Sequence, residues 1–191
     1  MASTLPESAG APAVETALAA PTAVAELPPL RIAEDGPADG YRRSEFGDGW
    51  AAAVGPGCDV RAAVLARDMV ATTVEDGCDV TAGTLADPYS GETITGPSRE
   101  VDVDHIVPLS LAWRTGAAHW SDERREAFAN DLANLRAVSA RDNRSKGDKG
   151  PEEWLPDTGG CAYARDFAAV SARWELTVSP ARVHAVEGAC G

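Results

Sequence analysis

The sequence predicts an α+β domain in which two short strands and a following helix gather a set of polar residues, with an added β-hairpin, packing helices and disulfide staples. Three observations point there. Residues 101 to 108 read Val-Asp-Val-Asp-His-Ile-Val-Pro, an alternation of strand period that runs into Asp104-His105 and is stopped by Pro108. A second apolar run opens at Asn134 and continues Leu135-Arg136-Ala137-Val138, followed by the polar stretch Arg141 to Asp148. Four cysteines, Cys58, Cys78, Cys161 and Cys190, are even in number and lack Cys-x-x-Cys pairs, so they read as disulfides and not as a zinc knuckle.

The elements follow in order. Residues 1 to 38 are rich in Ala, Pro, Glu and Thr, with few large apolar groups. Such a segment cannot offset its ordering entropy, so a disordered tail is expected there, with packed chain beginning near Tyr41. The remaining 39 to 191 fit one domain, since 191 residues at 44% hydrophobic suffice for one core. Val60, Ala63, Val64, Arg67 and Met69 approximate a helical stripe between Asp59 and Val70. Two β-prone runs, Asp79 to Leu85 and Glu92 to Thr95, flank Asp87-Pro88-Tyr89-Ser90-Gly91 and form the hairpin. After the Val101 to Asp104 strand, Leu109, Leu111, Ala112 and Trp113 predict a short helix closed by Gly116, and Ser121 caps a helix reaching Asn130. Beyond the strand 134 to 138, Ser139-Ala140-Arg141-Asp142 has the spacing of a capping box, so a helix starts at Ser139 and carries Asn143. Packing helices follow over roughly 162 to 174 and from Ser179-Pro180 to Gly188.

Charge bounds the partners. A formal net charge of -13 argues against a general nucleic-acid coat protein, because phosphate binding is driven by Lys and Arg. The acidity is mostly N-terminal, with 5 basic and 15 acidic side chains in residues 1 to 98. Within 136 to 149 the balance reverses to five basic (Arg136, Arg141, Arg144, Lys146, Lys149) against two acidic. This stretch reads equally as a solvated loop or a phosphate-binding neighbour of the Asp-His pair. The five Trp residues are spread along the chain, which suits core anchors and not a stacking platform for bases.

No apolar stretch approaches the ~20 residues a membrane span needs, so no membrane partner is expected. Of three possible disulfide connectivities, sequence proximity favours Cys58 with Cys78 and Cys161 with Cys190. Disulfides imply an oxidising compartment and hence a secreted protein. The N-terminus is not a signal peptide as written, because no Lys or Arg precedes Arg31 and Glu7, Glu15 and Glu26 interrupt the Ala-rich stretch. A leader is therefore expected to have been removed.

The candidate site combines groups suited to hydrolysis. His105, with an ordinary pKa near ~6.5, can accept a proton from water at neutral pH. Asp104 offers a carboxylate and Asn143 a carboxamide oxygen, hard donors that suit one Mg2+ or Mn2+ ion retaining several waters. Arg144 and Lys146 are candidates for phosphate contact. Asp102 alternates with Asp104 and shares its face, so it is either an orienting carboxylate or a ligand itself. His119 and His184 have no partners at ligand spacing, and Asn130-Asp131 reads as a helix end.

Together these residues resemble the HNH nucleases, in the branch that carries Asp-His-Ile-Val-Pro. Asp142-Asn143-Arg144-Ser145-Lys146-Gly147-Asp148 is also similar to the nuclease domain of RNA-guided CRISPR effectors. The broader pattern resembles small secreted bacterial HNH endonuclease-family proteins. It takes in Tyr41-Arg42-Arg43, Phe46-Gly47, Asp87 to Gly91, Asp104 to Leu109, Trp113, Asn134-Leu135, Lys146-Gly147-Asp148 and Pro151 to Pro156. The resemblance implies a ββα-metal (HNH/His-Me finger) core over about 99 to 155, with His105 as general base, Asp104 and Asn143 on the metal, and Asn134 bracing the loop that bears His105. It implies a monomeric endonuclease acting on nucleic acid, DNA first, with little sequence preference. An RNase or effector nuclease, and a non-catalytic binding module on the same fold, are the competing readings. Asn143 stands where many HNH enzymes have His, which disfavours softer ions such as Zn2+.

Overall fold

The computed structural model describes residues 27–52 and 58–191. It is a mixed α+β structure with three small sheets and two disulfides. Strand β1 (Arg31–Ile32) pairs in parallel with β7 (Thr177–Val178). Helix α1 (Val60–Asp68) leads into an antiparallel sheet ordered β2 (Val70–Glu75), β3 (Asp79–Ala86) and β4 (Thr93–Gly96). A two-stranded ribbon of β5 (Val101–His105) and β6 (Leu135–Ser139) encloses α2 (Leu109–Arg114) and α3 (Asp122–Ala129) in the connection, and α4 (Ala140–Lys146) follows at once. Helices α5 (Gly160–Arg173) and α6 (Pro180–Gly188) complete the body.

The helix read as reaching Val70 stops at Asp68. Met69 is extended, and the β-branched run that begins at Val70 pairs with β3 instead. Branched side chains that lose rotamer freedom in a helix fit a pleated strand, and a partner strand lay one turn away. The capping-box expectation at Ser139 also changes. Ser139 is the N-cap of α4, yet its side chain caps nothing, and its backbone N–H donates to Asp87 Oδ1 at 3.0 Å. Ser121 and Ser179 do cap, accepting from the N–H groups of Arg124 and Arg182.

Packed chain begins earlier than Tyr41. Residues 1–26 of the expected tail lie outside the described residues, whereas Leu27 and Leu30 pack on the core and Arg31–Ile32 forms β1. Asp35 accepts from the almost fully buried Arg182 at 3.0 and 3.2 Å, and Glu152 holds the same guanidinium. A bidentate partner this far along the chain supplies the ordering that composition alone does not show.

Two hydrophobic clusters make the interior. One contains Phe46, Tyr89, Ile106, Val107, Leu111, Phe128, Tyr163, Phe167 and Val186. The other joins α1 and the hairpin through Val64, Leu65, Met69, Val80 and Leu85. The ribbon belongs to both, with Val101, Leu135 and Ala137 in the second cluster and Val138 in the first. Each fully buried Leu, Val or Phe contributes roughly 1.5–3 kcal/mol by removal from water, so the ribbon is clamped from two sides.

The disulfides are Cys58–Cys78 and Cys161–Cys190, with Cα–Cα separations of 5.5 and 4.7 Å. The first ties the approach to α1 onto the β2–β3 turn, and the second ties the first turn of α5 to the second residue after α6. No described helix is long and apolar enough to cross a membrane.

Candidate active site

The site grows from the end of β5. The ladder pairs His105 with Leu135 and Asp104 with Arg136, which brings the far end of one strand beside the start of the other. Asn134, with no exposed surface, then clamps the chain beyond His105. Its Oδ1 accepts from Val107 N at 2.8 Å, its Nδ2 donates to Val107 O at 3.3 Å, and its own carbonyl accepts from Ile106 N at 2.8 Å. The carboxamide thus satisfies both backbone groups of Val107 in a loop that has no strand partner there.

His105 is buried, 7% exposed, and its ring stacks on Trp50 with centroids 5.8 Å apart and an interplanar angle of 10°. Nε2 lies 2.9 Å from the carbonyl oxygen of Ala129. A carbonyl only accepts, so Nε2 carries the proton and the neutral ring presents Nδ1 as a lone-pair acceptor. Among the described residues Nδ1 has no hydrogen-bond partner. Burial pushes the His105 pKa down to about 4, partly opposed by the Ala129 hydrogen bond and helped by the positive charges of Arg43 and Lys146. The imidazole is therefore neutral at physiological pH.

Asp104 is 5% exposed and both oxygens are engaged. Oδ1 accepts from Lys146 Nζ at 2.9 Å and Oδ2 from the Tyr89 hydroxyl at 2.7 Å. Burial raises its pKa, while Lys146, Tyr89 and the His105 backbone pull it down. Burial likewise holds the Tyr89 hydroxyl well above its ordinary range, so it remains a proton donor to the carboxylate. Tyr89 reaches this position because the Asp87 to Gly91 loop wraps around the Asp87 carboxylate, which accepts from Ser90 N at 3.1 Å, Ser90 Oγ at 2.6 Å and Ser139 N at 3.0 Å.

Lys146 departs from the expectation of phosphate contact. Its side chain is fully buried, and the ammonium is committed to Asp104 Oδ1 and, at 2.8 Å, to the His105 carbonyl. It points inward because Gly147, at φ 57, closes α4 and turns the chain directly after it. Arg144 is exposed but lines a different groove, with Arg99, Arg141 and Glu92, on the other flank of α4.

Asp104, His105 and Asn143 line one cavity of about 260 Å³ together with Tyr41, Arg43 and Ser110. Asp102 enters through Asn143, whose Nδ2 donates to Asp102 Oδ2 at 3.1 Å. That bond fixes which end of the amide faces away from Asp102, and it is the carbonyl oxygen. Among the described residues no three His, Cys, Asp or Glu side chains converge as a metal cage. The hard donors lining this cavity are the Asp104 and Asp148 carboxylates and the Asn143 carboxamide oxygen, too few for a closed cage and suited to an ion keeping most of its water.

Arg43, which lies in the Tyr41-Arg42-Arg43 stretch of the resemblance without an assigned role, and Trp50 are further neighbours of His105. A second cavity of about 250 Å³, lined by Phe46, Gly47, Gly49, Trp50 and Ala129, shares Arg43, His105 and Leu109 with the first. All five Trp pack on the core as expected, Trp113, Trp120, Trp154 and Trp174 on the larger cluster and Trp50 on the smaller, but Trp50 also stacks on His105 and lines this cavity. Asn130 and Asp131 are helix-end residues as read, Asn130 closing α3 and accepting from Ala51 N at 2.8 Å. His119 lies in a 3-10 turn and His184 in α6.

Comparison with known proteins agrees with the class of chemistry. Residues 61–184 match the family described as GmrSD restriction endonucleases, C-terminal domain. The chain is 39% identical over 171 residues to an "Uncharacterized secreted protein" of Arthroderma benhamiae (strain ATCC MYA-4681 / CBS 112371), covering 87% of this chain and 82% of that protein. No solved structure matches. With the match spanning all of the ribbon and α4, the chain belongs to the GmrSD restriction endonuclease C-terminal domain family, an HNH-type endonuclease family.

Proposed function

We propose that this chain is a secreted, metal-dependent endonuclease that hydrolyses phosphodiester bonds of DNA with little sequence preference, and that β5, β6 and α4 act as a ββα-metal core. One observation carries the reading. His105 has Nε2 tied to a backbone carbonyl and Nδ1 without a partner, in a cavity also lined by Asp104 and Asn143. A buried neutral imidazole oriented by a main-chain acceptor is a proton acceptor held ready for water.

In this reading His105 Nδ1 takes a proton from water as the water oxygen bonds to phosphorus. The bond from phosphorus to the departing sugar oxygen breaks, its electron pair stays with that oxygen, and the oxygen takes a proton from solvent. The imidazolium then returns its proton to solvent. Asp104 and the Asn143 carbonyl oxygen would hold one Mg2+ or Mn2+ ion, which when bound neutralises charge on the phosphate and the departing oxygen. Asp102 is a positioning residue that fixes the Asn143 amide. Lys146 and Tyr89 hold the Asp104 carboxylate, and Asn134 holds the turn after His105.

The two disulfides and the secreted relative support action outside the cell. The test is nicking of supercoiled plasmid with Mg2+ or Mn2+, using wild type and His105→Ala. Wild type should cut, EDTA should stop it, and His105→Ala should lose about 10²- to 10⁴-fold. Intact plasmid, single-stranded DNA and RNA under both metals would end the nuclease reading, and RNA cut alone would move the substrate from DNA to RNA.

A further inference from the structure

The polar cavity accounts for His105, Asp104 and Asn143 but leaves two features unused. Arg43 lines both cavities, is exposed, and among the described residues makes no hydrogen bond or ion pair. Most other arginines near the site are spent: Arg125 on Glu45 and the 117–120 turn, Arg136 on Asp166, Arg141 on Asp142. A guanidinium left open beside a proton acceptor is placed for a ligand oxyanion.

The second feature is the character of the adjoining cavity. It offers Phe46 and Trp50 in place of the Asp104 and Asp148 carboxylates and the Asn143 amide of the first. Gly47 and Gly49 line it with φ of 96 and 133; a Cβ at Gly47 would press on the Glu126 side chain at 3.2 Å, and one at Gly49 would stand in open space. With no side chain at Gly47 or Gly49, a ligand can approach the backbone closely there and reach the indole behind it. Beyond Arg43 and His105, which it shares with the first cavity, its wall is the Phe46 and Trp50 rings, surfaces that suit a sugar and base better than a second phosphate.

Resting on the nuclease reading above, we propose that Arg43 grips the phosphate to be cut and that the Trp50 cavity receives the adjacent nucleoside, so that the preferred substrate is a strand with unstacked bases. The two cavities meet at Arg43 and His105, which places phosphate and nucleoside on consecutive parts of one ligand. A base inside a duplex must leave its stack to enter a side cavity, at a cost of a few kcal/mol that a single strand does not incur. Stacking on an aromatic ring is tolerant of base identity, consistent with weak sequence preference.

The test uses the full chain in EDTA with end-labelled oligonucleotides, read by anisotropy, then cleavage of the same oligonucleotides with Mn2+. Wild type should bind a single strand about tenfold or more tighter than the matching duplex. Arg43→Ala should weaken both and reduce the salt slope by about 0.7 for the single strand, the loss of one phosphate contact. Trp50→Leu should weaken the single strand alone, by about 5- to 150-fold. Because Trp50 also packs on the core, single abasic residues placed along the substrate probe the cavity without altering the protein: one position next to the cut should slow cleavage, the others not.

Wild type that cuts nucleic acid while Arg43→Ala binds with unchanged affinity and slope would overturn the phosphate assignment and leave the nuclease reading intact. Uniform cleavage of all abasic substrates, or equal cleavage of duplex and single strand, would overturn the nucleoside assignment alone. Wild type that neither binds nor cuts any strand would remove both readings together.

Discussion

Strand β2, at the edge of its sheet, and the ribbon of β5 and β6 use similar apolar residues, and the fold treats them oppositely. In β2 every residue but the half-buried Thr72 is exposed, including Val70 at 65% and Val74 at 45%. In the ribbon only Asp102, Val103 and Arg136 reach even intermediate exposure, although the segment carries two aspartates and a histidine. The edge strand keeps polar groups in water, where they cost little. The ribbon buries them, and each buried group has to be matched by a named partner. Chemistry is concentrated where the fold tolerates that cost.

The contrast predicts where substitutions matter. Lys146→Leu removes the partner of a buried carboxylate and should cost about 3–5 kcal/mol in urea unfolding. The double variant Asp104→Leu with Lys146→Leu should recover most of that stability, because a matched apolar pair replaces a matched ionic one. A single variant as stable as wild type would mean that the pair is not buried as described.

Acid should act through the ribbon next. The His105 pKa is lowered to about 4 in the folded protein, whereas the unfolded chain titrates near ~6.5. Between these values the unfolded state binds the extra proton, so stability is complete above about pH 6.5 and falls as pH drops toward 4. The loss should approach roughly 3 kcal/mol in metal-free protein, and His105→Gln should flatten this part of the profile. The same pH dependence in His105→Gln would assign it to another group.

Smaller effects sharpen the division of labour between the aspartates. Asp102→Asn frees the Asn143 amide and should raise the Mn2+ concentration for half-maximal cleavage by about 10- to 100-fold, with much of kcat retained at saturating metal. Asp104→Asn should lose kcat at any metal concentration. Identical behaviour of the two variants would merge their roles. At the bottom of the scale, Val74→Ser on the edge strand should shift stability by no more than about 0.5 kcal/mol and leave cleavage unchanged.

Much of this was legible in the sequence because it is local. Periodicity placed both strands of the ribbon, Ser121 and Ser179 marked helix starts, and Asp104-His105 with Asn143 located the cavity. What escaped depends on contacts between distant segments. Lys146 reads as a surface cation in a basic stretch, and only the packing of α4 on β5 shows the ammonium beneath Asp104. Ser139 has the spacing of a cap, but Asp87 sits above its N–H. Trp50 and Arg43 lie far from His105 in sequence and carry no spacing that betrays their meeting. The start of the packed chain was hidden for the same reason, since the partner of Asp35 is Arg182.

The burial of Lys146 has a practical consequence. The chain contains only two lysines, Lys146 and Lys149, and Lys149 is exposed with its ammonium on the Ser145 carbonyl. Amine-acylating reagents should therefore mark Lys149 at once and reach Lys146 only when α4 lifts from β5. The ratio of the two labels, read by mass spectrometry on one peptide segment, becomes a clock for the lifting of α4 from the ribbon, with its reference standard three residues away.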